Sequence, residues 1–243
     1  MSSLAVPSWV IPGTYGENLR FLESRAEIDT VELLFFLYDD EVRALLDREF
    51  PLIEAYASRF AYTAHLPDPL GPEHEELVER LSPLVRHFIV HPGNPGKSGQ
   101  VAALLDAWES RYRAEGRSGK ERRRFYVENT RPGCLEALLA LRPASGICMD
   151  TGHLALEGAS PLEFFLEYED RIGEIHLHGL DRKAAMADGH LPDHRALNGK
   201  EDWLLDLQGR LREYPGVINM EVFSWPQAER TLKALKELGI RGQ

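Results

Sequence analysis

Seven acidic or histidine residues sit at the C-terminal ends of successive short apolar runs. In order the segments are AYTAHLP (His65), FIVHPGNP (His91), FYVENT (Glu128), ICMDTGH (Asp150 and His153), EIHLHG (His176) and INMEVFS (Glu221). Any one of these histidines, taken alone, reads as a hydrogen-bonded core residue. Together they are too costly to bury without a compensating charge. Divalent cations supply that charge and keep the carboxylates ionised. A mixture of imidazole and carboxylate suits zinc, manganese or iron better than calcium. Glu128, Asp150, His176 and Glu221 come from four consecutive runs and make one mixed nitrogen and oxygen site. Asp193 and His194 offer a further acid–imidazole pair in a late loop, whose plain reading is a surface pair.

These residues must be brought together by the elements that carry them. Strand-like runs at 8–11, 31–36, 60–65, 87–91, 124–128, 146–150, 173–178 and 217–222 are rich in Val, Ile, Phe and Tyr. Between and after them, 15–25, 40–57, 72–85, 98–114, 132–141, 161–170, 201–213 and 226–238 carry helical spacing. Pro132, Pro161 and Pro226 stand where a first helical turn would begin. Gly152 is expected to allow a tight turn after the sixth strand, so that His153 faces the same way as Asp150. Strict alternation means parallel pairing with right-handed crossovers. The expected fold is an α/β (β/α)8 TIM barrel over residues 1–243, one domain without repeats or linkers, with all the strand ends at one mouth. An open doubly wound sheet is the competitor. The turn Ile11-Pro12-Gly13-Thr14-Tyr15-Gly16 lacks the dinucleotide-binding fingerprint that sheet would carry. The loop at 179–200 would lie over the mouth.

Composition excludes several function classes. The chain has 243 residues and a net charge of −11, an unfavourable balance for wrapping nucleic acid. Its one basic run, Arg117, Lys120, Arg122, Arg123 and Arg124, precedes the fifth strand and is expected to be a solvated loop opposite the mouth. No apolar stretch is long enough for a membrane span, and the first residues do not read as a signal peptide. Cys134 and Cys148 are too few for a disulfide framework and read as small buried packing residues, which fits a reducing cytoplasm.

The set HLP, HPG, VENT, MDTGH, IHLHG, a late DH and a final ME resembles the xylose isomerase-like barrels, and especially their endonuclease IV branch, over about residues 8–226. The resemblance implies two or three divalent metal ions. His65, His91 and Glu128 would hold the first. Glu128 would bridge to a second held by Asp150, His176 and Glu221, and His153 and His194 with Asp193 would hold a third. The branch has Asp-x-His where this chain has Asp193-His194, so Asp193 is the least secure of these ligands. Such a centre supports in-line attack on a phosphoester, because a bound water has its pKa lowered to about 7. Glu128 and Glu221 would orient that water as well as ligate.

Within the superfamily, PSWVIPGT and ELLFF resemble the start of the cobamide-remodelling phosphodiesterases. The resemblance implies a small-molecule partner, a cobamide of the coenzyme B12 type, cleaved at its nucleotide loop to a cobinamide phosphate. Trp9, Phe36, Tyr38, Phe223 and Trp225 are candidates to face it. One alternative is a sugar or sugar-phosphate isomerase or epimerase, which needs only the Glu-Asp-His-Glu quartet and one metal, the two glutamates moving the proton. Others are an apurinic-site endonuclease, disfavoured by the acidic surface, and a degenerate barrel that only binds a metabolite or protein. Histidines at both 65 and 91 favour the multinuclear hydrolase over the isomerase.

Overall fold

A computed structural model describes residues 2–112, 114–115, 121–181 and 193–242. Eight parallel strands close into a barrel. They are β1 (Ser3–Pro7), β2 (Thr30–Leu34), β3 (Ala61–His65), β4 (Val85–Val90), β5 (Phe125–Glu128), β6 (Gly146–Asp150), β7 (Ile172–His176) and β8 (Val217–Asn219). Nine α-helices among the described residues surround them: α1 (Tyr15–Leu22), α2 (Asp40–Tyr56), α3 (Glu75–Leu81), α4 (Ser98–Arg111), α5 (Cys134–Leu141), α6 (Thr151–Glu157), α7 (Pro161–Tyr168), α8 (Asp202–Glu213) and α9 (Trp225–Glu237). Ala114–Glu115 and Glu121–Arg122 form a small antiparallel ribbon outside the barrel. No helix among the described residues is long and apolar enough to cross a membrane.

The pleat sorts each strand into two faces, since successive side chains point to opposite sides. Phe88, Val90, Phe125, Val127, Ile175 and Ile218 belong to the large core between strands and helices. Ile89, Tyr126 and Cys148 form a separate small cluster, the apolar part of the lumen. Each fully buried Leu or Phe of the outer core contributes about 2 kcal/mol of apolar burial. Tyr126 plugs the lumen, its ring 4.6 Å from that of His87. A methyl group at Gly173 would overlap the Tyr126 ring, so β7, two strands away across the lumen, must be bare there.

Four expectations need correction. The first strand is Ser3–Pro7, not 8–11. Beyond Pro7 the amides of Val10 and Ile11 donate to the side chain of Asn18, so the apolar run SWVI turns over the mouth instead of continuing the ladder. Gly152 makes no turn, because α6 starts directly after Asp150, which caps it by accepting from the His153 amide. Pro132 precedes the α5 cap at Gly133, whereas Pro161 and Pro226 do lie in first turns. In the basic run, Arg124 is buried and donates to the carbonyls of Ser82, Val85 and Arg86, closing the end of the barrel away from the mouth. Arg117 and Lys120 lie outside the described residues, as does 182–192, most of the loop expected over the mouth. Cys134 and Cys148 are both free and buried.

Candidate metal centre at the barrel mouth

Glu128, the last residue of β5 and 1% exposed, is the hub of the mouth. Its Oε2 lies 3.0 Å from His65 Nε2, 3.5 Å from His91 Nε2 and 3.6 Å from His176 Nδ1. Its Oε1 lies 3.3 Å from His153 Nδ1. Glu221 is a second hub, with Oε2 3.2 Å from His176 Nδ1, 3.6 Å from His194 Nδ1 and 4.0 Å from His178 Nε2. Asp150 faces His178, Oδ2 to Nε2 at 3.1 Å. His65, His91, Glu128, Asp150, His153, His176, His194 and Glu221 therefore converge, although they are scattered over six strands, β3 to β8, and the segments that follow them. Asp193 lies at the edge, its carboxylate 4.0 Å from His194 Nε2. His194 has a φ of 48°, a left-handed backbone that costs a non-glycine residue energy and often marks a functional position.

His178 is the residue the sequence reading passed over. It takes the place beside Asp150, while His176 sits one layer deeper, at the floor of the mouth. Below His176 lie three further buried groups that were not singled out, Glu32, His87 and Glu174. His176 Nε2 is 3.2 Å from Glu32 Oε2, and His87 Nε2 is 2.6 Å from Glu174 Oε2. A signal for them exists: Glu174, His176 and His178 alternate along one strand and its extension, so all three share the lumen face. His87, Ile89 and His91 alternate in the same way on β4.

The electrostatics follow from crowding carboxylates and imidazoles out of water. Burial alone would raise Glu128, but His91 and hydrogen bonds with His153 and His65 hold it well below the usual carboxylate range. Burial would likewise raise Glu221, and His176 outweighs it in the same way. Burial would lower His91, yet Glu128 and Asp68 lift it to about 10. His153 is also lifted to about 10 against burial, by Asp150 and Glu128. Glu174 goes the other way, raised by burial and by the charge of Glu32.

The donors fit a divalent cation. Glu221 Oε2 and His176 Nδ1 are buried, 3.2 Å apart, and neither has a hydrogen-bond partner. Two polar atoms left this way each forfeit a hydrogen bond, unless a third body lies within reach of both. His65, His91 and Glu128 present ligand atoms within 4.8 Å of one another, and so do His153, His178 and His194. His65 Nδ1 lies 3.0 Å from the carbonyl of Leu66, an acceptor that would keep the proton on Nδ1 when Nε2, here 3.0 Å from Glu128 Oε2, gives up its proton to ligate.

Gly152 is what admits His178. A methyl group at that position would overlap the His178 imidazole. Gly152→Ala is expected to keep the fold, displace His178 and reduce activity about 100-fold, the usual cost of a misplacement near 1 Å. Circular dichroism beside turnover checks it; unchanged turnover would show that His178 has no part in the site.

The rim completes the mouth. A cavity of about 160 Å³ opens above the histidines between Leu34, Phe36, Leu66 and Phe223. Phe36 is 58% exposed and Trp9 46%. Two candidates are placed elsewhere: Tyr38 is buried against Phe35, and Trp225 packs on Phe21 and Arg25.

No family model and no curated protein matches the chain. Solved structures do. A D-tagatose 3-epimerase-like protein is 19% identical with a TM-score of 0.61, covering 97% of this chain and 96% of its own. A xylose isomerase domain containing protein from Salmonella typhimurium is 19% identical with a TM-score of 0.59 over 98% and 96% of the two chains. A probable 3-DHS dehydratase from Bacillus anthracis is 14% identical with a TM-score of 0.67 over 98% and 99%. The expected (β/α)8 architecture is therefore present, and it is the fold these three solved structures share.

Proposed function

We propose that this chain is a metal-dependent enzyme whose mouth holds more than one divalent cation and that it hydrolyses a phosphoester. One observation carries the reading. Beyond Glu128, Asp150, His178 and Glu221, which suffice for a single ion, the mouth holds His65 and His91 on one side of Glu128 and His153 and His194 on the other. In this reading His65, His91 and Glu128 hold one ion. Glu128, Asp150, His178 and Glu221 hold a second above His176, and His153 and His194 with Asp193 a third. Bound cations supply Lewis acidity and lower the pKa of water. The chain's own part is to keep Glu128 and Glu221 ionised, so that they can orient a nucleophile, and to screen the site behind Phe36 and Phe223.

The substrate class rests on the N-terminal resemblance, which points to the nucleotide loop of a cobamide. A second reading, sugar or sugar-phosphate isomerisation or epimerisation, is favoured by the names of the structural relatives, which are of an epimerase, an isomerase domain and a dehydratase. None of those names refers to phosphoesters, and on that ground the comparisons back the second reading better. Metal analysis with product analysis separates the two. Protein loaded with zinc, manganese or iron is incubated with adenosylcobalamin and, in parallel, with ketoses and ketose phosphates in deuterated water. The hydrolase reading expects two or three metals per chain and release of the lower-base nucleoside. One metal per chain with deuterium entering a sugar carbon would replace it with the second reading.

A further inference from the structure

Four imidazoles of the mouth are tied at the same ring nitrogen. His65, His153 and His194 have Nδ1 against main-chain carbonyls, those of Leu66, Asn129 and Glu221, at 3.0, 2.9 and 3.1 Å. His91 has Nδ1 against the carboxylate of Asp68 at 3.2 Å. His176 is turned the other way. Its Nε2 meets Glu32 Oε2 at 3.2 Å, below the mouth. Its Nδ1 faces upward to Glu221 Oε2 at 3.2 Å and Glu128 Oε2 at 3.6 Å, with no hydrogen bond among the described residues.

Glu32 stands in the middle of β2, in the run TVELL, and is completely buried. A carboxylate in that position has to be matched by donors. Asn219 Nδ2 donates to Oε1 at 2.8 Å, and the His176 ring takes Oε2. Asn219 is the residue opposite His176 across the ladder between β7 and β8, and its own Oδ1 has no partner among the described residues. The bond to Glu32 therefore decides which way the amide faces. Glu174 does not compete for the ring: it is engaged by His87 at 2.6 Å and lies 3.9 Å from His176 Nε2. An ionised carboxylate only accepts, so the nitrogen that meets Glu32 is one that carries a proton. The lone pair of a neutral His176 is then on Nδ1, between the two carboxylates of the mouth.

We infer that Glu32, held by Asn219, is a positioning residue for the metal centre, keeping His176 turned so that Nδ1 ligates from below the ion that Glu128, Asp150, His178 and Glu221 would surround. The inference deepens the metal part of the reading above and rests on it; it does not depend on the reaction being at a phosphoester. A carboxylate that touches neither ion nor substrate then orients the deepest ligand. Partners of this kind usually contribute about 10- to 100-fold to metal affinity.

Glu32→Gln keeps the shape of the side chain and removes its charge. Asn219 takes the new amide oxygen, so the new amino group faces His176 Nε2, which must accept and leave the proton on Nδ1. Glu32→Gln combined with Asn219→Asp exchanges the two groups. The carboxylate now accepts from the amide at position 32, whose oxygen again accepts from His176. Wild type and both variants are stripped of metal and titrated with zinc against a competing chelator. They are then loaded with cobalt(II), whose visible absorption follows its ligand set. The single variant is expected to bind zinc about 10- to 100-fold more weakly and to show an altered cobalt spectrum. The exchange variant is expected to recover both, which a loss of packing alone would not allow. Circular dichroism checks the fold of each. If the single variant does not fold, the exchange variant still decides, since it buries the same charge: wild-type affinity is expected of it, and a loss of tenfold or more overturns the role. Equal zinc affinity of Glu32→Gln and wild type, or a loss that the exchange does not restore, overturns the positioning role and leaves the metal reading standing. A wild type that takes up no ion overturns both.

Discussion

Glu128→Gln is expected to abolish turnover and to strip the mouth of metal, while the barrel still folds. The glutamine keeps the shape of the side chain and removes its charge, so packing against β6 is preserved. The loss falls on His65, His91, His153 and His176, all of which lie within 3.6 Å of that carboxylate. Among the described residues no other acid is shared by so many imidazoles; Glu221 reaches three. In chelated protein the variant should be less stable by about 3 kcal/mol near neutral pH, the usual cost of leaving a buried charge without its partner. Titration should also show His91 and His153 falling from about 10 toward the ordinary imidazole value of 6.5. Elemental analysis, urea unfolding and turnover together test this. A Glu128→Gln protein with wild-type metal content would mean that the carboxylate is structural and the centre lies elsewhere.

The residues involved show why part of this site is legible in the sequence. His65, Glu128, Asp150 and Glu221 each stand at or just past the end of an apolar run, and closure of the barrel is enough to bring them together. The helices are legible for a related reason: their apolar stripe is set by local spacing, as in α8, where Leu204, Leu207 and Leu211 are buried. What is lost is depth along the barrel axis. His176 and His178 both face the lumen, and only the stagger of the strands decides which is level with Asp150. Asp150 pairs with His176 across the ladder, yet its carboxylate reaches up to His178. Glu32 and Glu174 are hidden more completely, since they stand in the middle of apolar runs as single charged residues. Their partners lie 144 and 87 positions away in the chain, at His176 and His87. The first strand is misplaced by the sequence because SWVI is as apolar as SLAVP, and the difference lies in Asn18, which takes the amides of Val10 and Ile11.

Metal uptake by chelated protein should release about two protons per chain near pH 8, since imidazole ligates only in its neutral form. His91 and His153, lifted to about 10, are charged at that pH and must give up their protons to serve as ligands. Affinity therefore rises with pH, and each displaced proton adds about one unit to the slope of log K against pH. The stability of the chelated protein runs the opposite way. A histidine whose pKa is raised on folding contributes stability that is complete below its unfolded value of 6.5 and is lost as pH rises through about 10. Glu128 and Glu221, both depressed, act at the acid end, where their contribution is lost as pH falls below 4.5. The melting temperatures of loaded and chelated protein should accordingly differ by about 10 °C with metal at a thousandfold excess over Kd. That gap should widen between pH 6.5 and 10, since alkali weakens the chelated form and tightens metal binding in the other. Calorimetry in two buffers of different ionisation enthalpy counts the protons, and thermal melts across pH follow the gap. Uptake without proton release, or a gap that narrows with rising pH, would show that His91 and His153 are not ligands and that their charge serves only to balance Glu128.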